Sequence, residues 1–417
     1  MNPIFLSWGI ALAATAGVIL RPFRWPEAIW AVAGALVLVA LGLLPVKLAW
    51  QAVGKGTDVY LFLIGMMLLS ELGRREGLFD WVAVHAVNYA KGSPRKLFTL
   101  VYLVGVVVTT FLSNDAAAVV LTPAVFAAAR KAKTKPLPLL YVCAFIANAA
   151  SFVLPISNPA NLVLYANHTP ALGLWIARFA LPSVLSIVAT FVMLRWTQRA
   201  GLVGACARDL PVERLSTNGK VTLASMGVTA VALLVVSAFD LQLGLPTAIL
   251  GILTSLVVLV KERQSPVKLV SEISWSVLPL VAGLFVLVEV LDHTGVIQKL
   301  SALLALATQQ NQPMAAAASG LIIAFGSNAI NNLPAGLIAS ATALQAHSPE
   351  RVIDALLIGV DLGPNLSITG SLATILWLSS IRREGEEVGF MQFLKVGIVV
   401  MLPALILALG SRLLAGH

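Results

Sequence analysis

Cysteine is almost missing from this chain. Cys143 and Cys206 are the only two in 417 residues, so a disulfide framework and a cysteine-built metal site are both excluded. Charge is scarce too. Asp, Glu, Lys and Arg make up 11% of the sequence, well under the roughly 25% of an ordinary soluble domain. The histidines, His85, His168, His293, His347 and His417, are scattered, and no pair has metal-ligand spacing. No G-x-x-x-x-G-K-[ST] loop occurs, so the chain is not expected to hydrolyse ATP itself. No low-complexity stretch and no soluble domain is visible. The first apolar run, Ile4 to Leu20, has no basic segment before it and no A-x-A-like site after it, so it reads as a first membrane helix and not a removable signal. Neither a metal nor a cofactor is expected.

What the chain has instead is apolar length. Hydrophobic residues are 59% of the total, and many runs are near the 17–22 residues that cross a bilayer. The fold class is therefore an all-α polytopic membrane protein. Ten crossings are predicted at about 4–21, 27–44, 58–74, 137–167, 171–195, 220–238, 245–260, 274–291, 352–381 and 390–412. The stretches 96–130 and 313–345 do not fit as single spans. Each is a pair of apolar arms around a polar tip, F-L-S-N-D-A-A at 111–117 and F-G-S-N-A-I-N-N-L-P at 325–334, and each reads as a re-entrant helical hairpin. The segments after the hairpins hold S-N-P-A-N at 157–161 and D-L-G-P-N-L-S-I-T-G-S at 361–371, which predicts broken helices with free backbone ends.

The two halves match in order. Gly65, Glu71 and Gly77 fall on Gly283, Glu289 and Gly295 at one offset, with Ser113-Asn114 read against Ser327-Asn328, Asn148 against Asp361 and Asn161 against Thr374. This divides the chain into a first repeat at 1–200, a linker at 201–219 and a second repeat at 220–413. Five crossings per half is an odd number, so the repeats should have inverted topology. Charge agrees with this drawing. With the loops at 74–96, 130–136, 196–219, 261–273 and 382–389 and the 21–26 turn on one side, that side takes 22 of the 28 Lys and Arg residues. The positive-inside rule makes it cytoplasmic and puts both termini outside. The net charge of +9 thus marks cytoplasmic loops on a lipid-embedded protein, and no nucleic-acid partner is expected.

Polar groups in this setting are costly. A charge at the bilayer centre costs roughly 2.5–3.5 kcal/mol even on the mildest scale, which points to function. Asp115 in the first hairpin and Asp361 in the second broken helix read as the sole carboxylates of their elements and as proton-coupling groups; a helix-cap role is the alternative for each. Ser113, Asn114, Asn148, Ser157, Asn158 and Asn161 form one candidate substrate-binding set, and Ser327, Asn328, Asn331, Asn332, Thr369, Ser371 and Thr374 the other, with helix-to-helix hydrogen bonding as the alternative. Glu71 and Glu289 lie near helix ends, where snorkelling or capping suits them better than a gate or ion path. These features point to a secondary transporter. A channel or an intramembrane enzyme with two aspartates has less in its favour, since neither D-x-x-D spacing nor a metal pair is visible.

F-L-S-N-D-A-A-A-V-V-L-T-P at 111–123, N-N-L-P at 331–334 and D-L-G-P-N-L-S-I-T-G-S-L-A-T-I-L-W at 361–377 resemble the arsenite/antimonite permease family (ArsB), and the likeness runs over nearly the whole chain. The Ser-Asn pairs resemble the wider ion transporter superfamily, which includes dicarboxylate transporters and NhaD-like sodium/proton antiporters. The resemblance implies outer scaffold helices around a mobile unit of two hairpins and two broken helices. It also implies arsenite or antimonite as substrate, export across the inner membrane, protons as the drive, and a cytoplasmic ATPase subunit as a candidate partner. Asn148 stands where that family is expected to carry an acid, and Pro159 is a second departure. A sodium/proton antiporter is the closest rival. An organic anion transporter is disfavoured because no Lys or Arg is expected at mid-membrane.

Two cysteines cannot form a three-thiol arsenic site, and these two, one in an apolar helix and one in the linker, should not meet. The Cys143→Ser/Cys206→Ser double variant should keep most arsenite transport in everted vesicles. Loss of transport by a well-inserted double variant would contradict binding through hydroxyl and amide groups.

Overall fold

The computed structural model describes residues 2–165, 169–208, 210–212, 214–239, 241–262 and 265–415. His168, His417 and the end of the predicted 137–167 segment lie outside the described residues. The described residues contain helices and no strand. Among the described residues seven helices are long and apolar enough to cross a membrane, or up to nine if two bent pairs each count as one span. Those pairs are Val46–Lys55 with Thr57–Arg75, bent by 47°, and Pro266–Glu272 with Val277–His293, bent by 45°. They occupy corresponding places in the two halves.

Local chemistry sets the helix ends. Proline opens Pro3–Leu20, Pro94–Leu112 and Pro266–Glu272, at the position where a missing N–H costs nothing. The hydroxyls of Ser93, Ser216 and Ser265 cap the helices that follow them. Gly77 and Gly295, at φ +67° and +83°, turn the chain into the helices Leu78–Ala90 and Val296–Gln310.

At each predicted hairpin the chain forms two helical arms joined at a single residue with positive φ. The first runs through Pro94–Leu112, turns at Ser113 (φ 108°) and returns along 114–131. Pro123 lies in the returning arm. Its ring opposes a regular α-turn, and the preceding segment Ala117–Leu121 is a π-turn, with the Thr122 hydroxyl donating to the Ala117 carbonyl at 3.2 Å. The second hairpin runs through Gln312–Ile330, turns at Asn331 (φ 73°) and returns along Asn332–Gln345. Its tip is thus four residues beyond the Ser327-Asn328 pair that was read against Ser113-Asn114. Ser327 and Asn328 belong to the last turn of the outgoing arm. The offset that joins Gly77 to Gly295 also joins Ser113 to Asn331 and Asn114 to Asn332.

Two large apolar cores result, beside a small third one of Leu68, Leu72, Val258, Leu259, Leu269 and Ile273. One holds the first hairpin, both broken helices, Leu172–Thr197 and Phe390–Leu414. The other holds Pro3–Leu20, Glu27–Ala40, Thr57–Arg75 and Val277–His293. Leu162, Leu333, Leu337 and Leu372, from the breaks and the second hairpin, pack against the second core. The packing within this second body repeats across the halves. Gly65 lets Thr57–Arg75 lie on Gly244–Glu262, and Gly283 does the same for Val277–His293 on Glu27–Ala40. A Cβ on Gly65 would stand 2.2 Å from the Thr247 carbonyl oxygen, and one on Gly283 2.7 Å from the Ala31 carbonyl carbon. Gly65→Leu should therefore cost about 1–3 kcal/mol or more. It should lower the melting temperature in detergent, while Gly9→Leu, at a position with open space around it, should not.

Candidate functional site

Both broken helices end inside the protein and restart after a short extended stretch. The first stops at Ala149, passes through the turn Pro155–Ser157 and restarts at Pro159. The second stops at Leu362, passes through Gly363–Leu366 and restarts at Leu372. Each break frees carbonyls that need donors. In the first, the Asn161 amide donates to the carbonyls of Ser151, Leu154 and Pro155 at 2.8, 3.2 and 3.4 Å. In the second, the Asn328 amide donates to the Ala324 and Gly363 carbonyls at 2.8 and 3.0 Å, and its own oxygen accepts from the Ser367 hydroxyl at 2.7 Å. Thr369 donates to the Asn328 carbonyl at 3.0 Å, and Asn331 to the Thr369 carbonyl at 3.4 Å. The restarting helices are capped alike, by Asn158 on the Ala160 N–H and by Ser371 on the Thr374 N–H.

The two breaks then interlock. Asn158 Nδ2 donates to Asp361 Oδ1 at 2.7 Å. Asn148 Nδ2 donates to Asn365 Oδ1 at 3.0 Å and to Thr374 Oγ1 at 3.3 Å. Asn365 in turn donates to the Phe145 carbonyl at 3.0 Å. Ser157 donates to the Thr110 carbonyl at 3.0 Å, which ties the first break to the first hairpin.

Around this knot the four helix starts converge. Asn114 and Asp115, Asn158 and Pro159, Asn332 and Leu333, and Leu372 and Ala373 line one small space of about 10 Å³, closed by Leu63 and Val277 of the second core. Beside it lies a cavity of about 80 Å³ that reaches from Ser113, Asp115 and Pro159, past Phe62 and Met66, to Ser70, Glu71, Glu272 and Ser274. Asp115 lines both, and none of the side-chain hydrogen bonds or ion pairs found among the described residues involves its carboxylate. Besides the Thr109 and Thr110 hydroxyls of the first hairpin, the buried side-chain oxygens without a partner here are Asn114 Oδ1, Asn148 Oδ1, Asn161 Oδ1, Asn332 Oδ1 and Asp361 Oδ2. They are hydrogen-bond acceptors.

The predicted site residues thus divide. Ser113, Asn114, Asp115, Asn158 and Asn332 face the cavities, and Asp361, Asn148, Asn161, Ser157 and Thr374 stand in the interlock. Ser327, Asn328, Asn331, Thr369 and Ser371 do not line either cavity; they hold the second break and hairpin in shape. Ser327 only donates to the Ala324 carbonyl one turn back. A further correction concerns Asp361, which is not the sole carboxylate of its broken helix. Asp354, fully buried on the same helix, accepts from Tyr165 at 2.5 Å and pairs with Arg412 at 2.8 Å and Arg178 at 3.8 Å. Arg178 also meets Glu350. The signal was present, because Asp354 and Asp361 are seven residues apart and share one face of a helix.

Comparison with known proteins places these features. A family model described as citrate transporter matches residues 11–359. The arsenical pump membrane protein of Escherichia coli (strain K12) is 28% identical over 400 residues, covering 91% of each chain. That of Yersinia enterocolitica is 27% identical over 399 residues, covering 93% of this chain and 92% of the relative. The crystal structure of the Alcanivorax borkumensis YdaH transporter superposes with a TM-score of 0.58 over 99% of this chain and 98% of that one, at 14% identity, a likeness of fold.

Asp354→Asn should be strongly destabilising. It breaks the buried pair with Arg412, a change that costs about 3–5 kcal/mol, while Arg178 keeps Glu350. Thermal unfolding in detergent measures it, and an unchanged melting temperature would contradict the pairing.

Proposed function

The chain belongs to the citrate transporter family, whose model spans residues 11–359, and from that membership we propose that it exports arsenite and antimonite in exchange for protons. A membrane transporter is what the family and the relatives establish. The substrate reading rests first on one observation, the unpaired acceptor oxygens of Asn114 and Asn332 at the converging helix starts, with those of Asn148, Asn161 and Asp361 in the interlock beside them. Arsenous acid is neutral near pH 7 and offers three hydroxyl donors. Citrate's carboxylates only accept, and so cannot bond these oxygens. The buried guanidinium groups of Arg178 and Arg412 pair with Asp354, away from the cavities. The relatives named arsenical pump membrane protein support the same reading.

The mechanism we assign is alternating access in the inner membrane. Ten crossings and two re-entrant hairpins form inverted repeats, with 1–200 and 220–413 as the halves and both termini outside. The hairpins and breaks carry the substrate against a scaffold of Pro3–Leu20, Glu27–Ala40, Thr57–Arg75 and Val277–His293. The repeated packing of Gly65 and Gly283 supports the repeat. The larger cavity runs from Asp115 towards Glu71 and Glu272, beside the basic loops, which supports a cytoplasm-facing state. Asp115 and Asp361 carry the protons. Substrate hydroxyls bind the free oxygens when the carboxylates are ionised, and protonation from outside releases the substrate. A cytoplasmic ATPase subunit on the 201–219 linker stays an optional partner in this scheme.

The same oxygens suit a bare cation, which is what supports a sodium/proton antiporter as the second reading. Everted vesicles separate the two. Arsenite uptake into acid-inside vesicles supports export, and sodium-dependent collapse of the proton gradient without arsenite uptake supports the antiporter. Asp115→Asn and Asp361→Asn keep shape but cannot titrate. Each should lower proton-driven arsenite uptake by about 100-fold or more with insertion intact. A variant that transports at the normal rate with a normal pH dependence removes its residue from the coupling.

A further inference from the structure

Glu71 is left over by the reading above. It is 8% exposed, and it lines the same cavity as Asp115 although it stands on the scaffold helix Thr57–Arg75 and Asp115 on the first hairpin. Its carboxylate is held by one turn of that helix. Arg74 Nε donates at 2.9 and 3.1 Å to its two oxygens, and Arg74 Nη2 at 2.5 Å to Oε1. The same Nη2 reaches Glu272, at the cavity mouth. Arg75 and Lys268 stand close to Glu272 and add positive charge on that side. The groups that face Glu71 are therefore Arg74 and Glu272 at the mouth and Asp115 within.

We propose that Glu71 is the proton-transfer station between Asp115 and the cytoplasm. The inference rests on the proton-coupled reading and adds a route to it. The cavity of about 80 Å³ has room for several waters, each needing roughly 10–15 Å³. In the cytoplasm-facing state the protonated Asp115 gives its proton to a cavity water as that water passes one to a Glu71 oxygen. The O–H bond at Asp115 breaks as the one at Glu71 forms. Glu71 then loses the proton to bulk water past Glu272 and returns to the carboxylate that Arg74 holds. Fixing the station to the scaffold means that Asp115 meets it at one end of the stroke only.

Glu289 supplies the control. It matches Glu71 in the repeat and pairs with Lys55 at 2.7 Å, at the opposite end of the scaffold. In everted vesicles the cytoplasmic face meets the medium, so medium pH can be varied at fixed lumen pH. Wild-type arsenite uptake should rise with medium pH, because proton release to that side becomes easier. Glu71→Gln should lower the rate roughly ten-fold, flatten this rise and recover with a high concentration of imidazole as a mobile proton acceptor. Glu71→Asp should recover part of the rate, and Glu289→Gln should keep the wild-type dependence on medium pH. A Glu71→Gln protein with the wild-type profile overturns the proposal. So does one that is slow at every pH, with an unshifted profile and no response to imidazole, since that is a structural effect. Wild-type vesicles with no proton-driven uptake would instead remove the coupling reading, and this inference with it.

Discussion

The structure depends on one constraint: a helix interrupted inside a membrane protein must find partners for the backbone groups it frees. Two such interruptions lie side by side here, and the bond from Asn158 to Asp361 joins them. It links the cap of one restarting helix to the end of the other broken helix. Asn148, Asn365 and Thr374 make the reciprocal link. Internal carbonyls are taken up by Asn161 and Asn328, whose amides reach three and two backbone oxygens. Amides suit this task because one side chain donates twice and accepts as well. Asn148 and Asn161 spend their amide donors inside the breaks, and their own oxygens remain unpaired. Those free oxygens are thus a consequence of how the breaks are held together.

This knot also explains where the cavities are. The hairpin tips and the restarting helices must end on something, and they end on one another. The scaffold meets them with Leu63, Met66 and Val277, which are apolar and offer no competing bonds. A polar cluster on one body facing an apolar wall on the other can slide without breaking hydrogen bonds at the contact. At the close helix crossings of Gly65 and Gly283 a backbone carbonyl stands well inside van der Waals contact of any added Cβ, and these crossings keep that wall stiff.

Much of this was legible in the sequence. Apolar length pointed to a helical membrane protein, and proline with clustered amides marked where its helices are interrupted. The pair that failed, Ser327-Asn328, is instructive. Ser-Asn occurs at both places, and likeness of letters suggested the match. The tip residue must instead adopt positive φ, and Asn331 does so while its own side chain caps the Leu333 N–H. Asn tolerates that conformation better than most residues. The spacing from Gly295 pointed to Asn331 all along, so backbone requirements were the better guide. The partners in the interlock were not legible, because Asn158 and Asp361 are 203 residues apart and nothing in one stretch specifies which amide meets which acid.

The helix Glu350–Leu362 shows how one element gives two identical residues different surroundings. It carries two fully buried aspartates on one face, two turns apart. Asp354 is surrounded by Tyr165, Arg412 and Arg178, so its charge is balanced and its oxygens are paired. Asp361 has a single amide donor, and Oδ2 has none. A carboxylate balanced by two buried cations is costly to disturb and has little to gain from a proton or a ligand. An under-satisfied one gains from either. Sequence gives both the same letter. The difference is made by the cations that Leu172–Thr197 and Phe390–Leu414 bring to one end of the helix only, while the other end is left to the interlock and to whatever enters the cavity beside it.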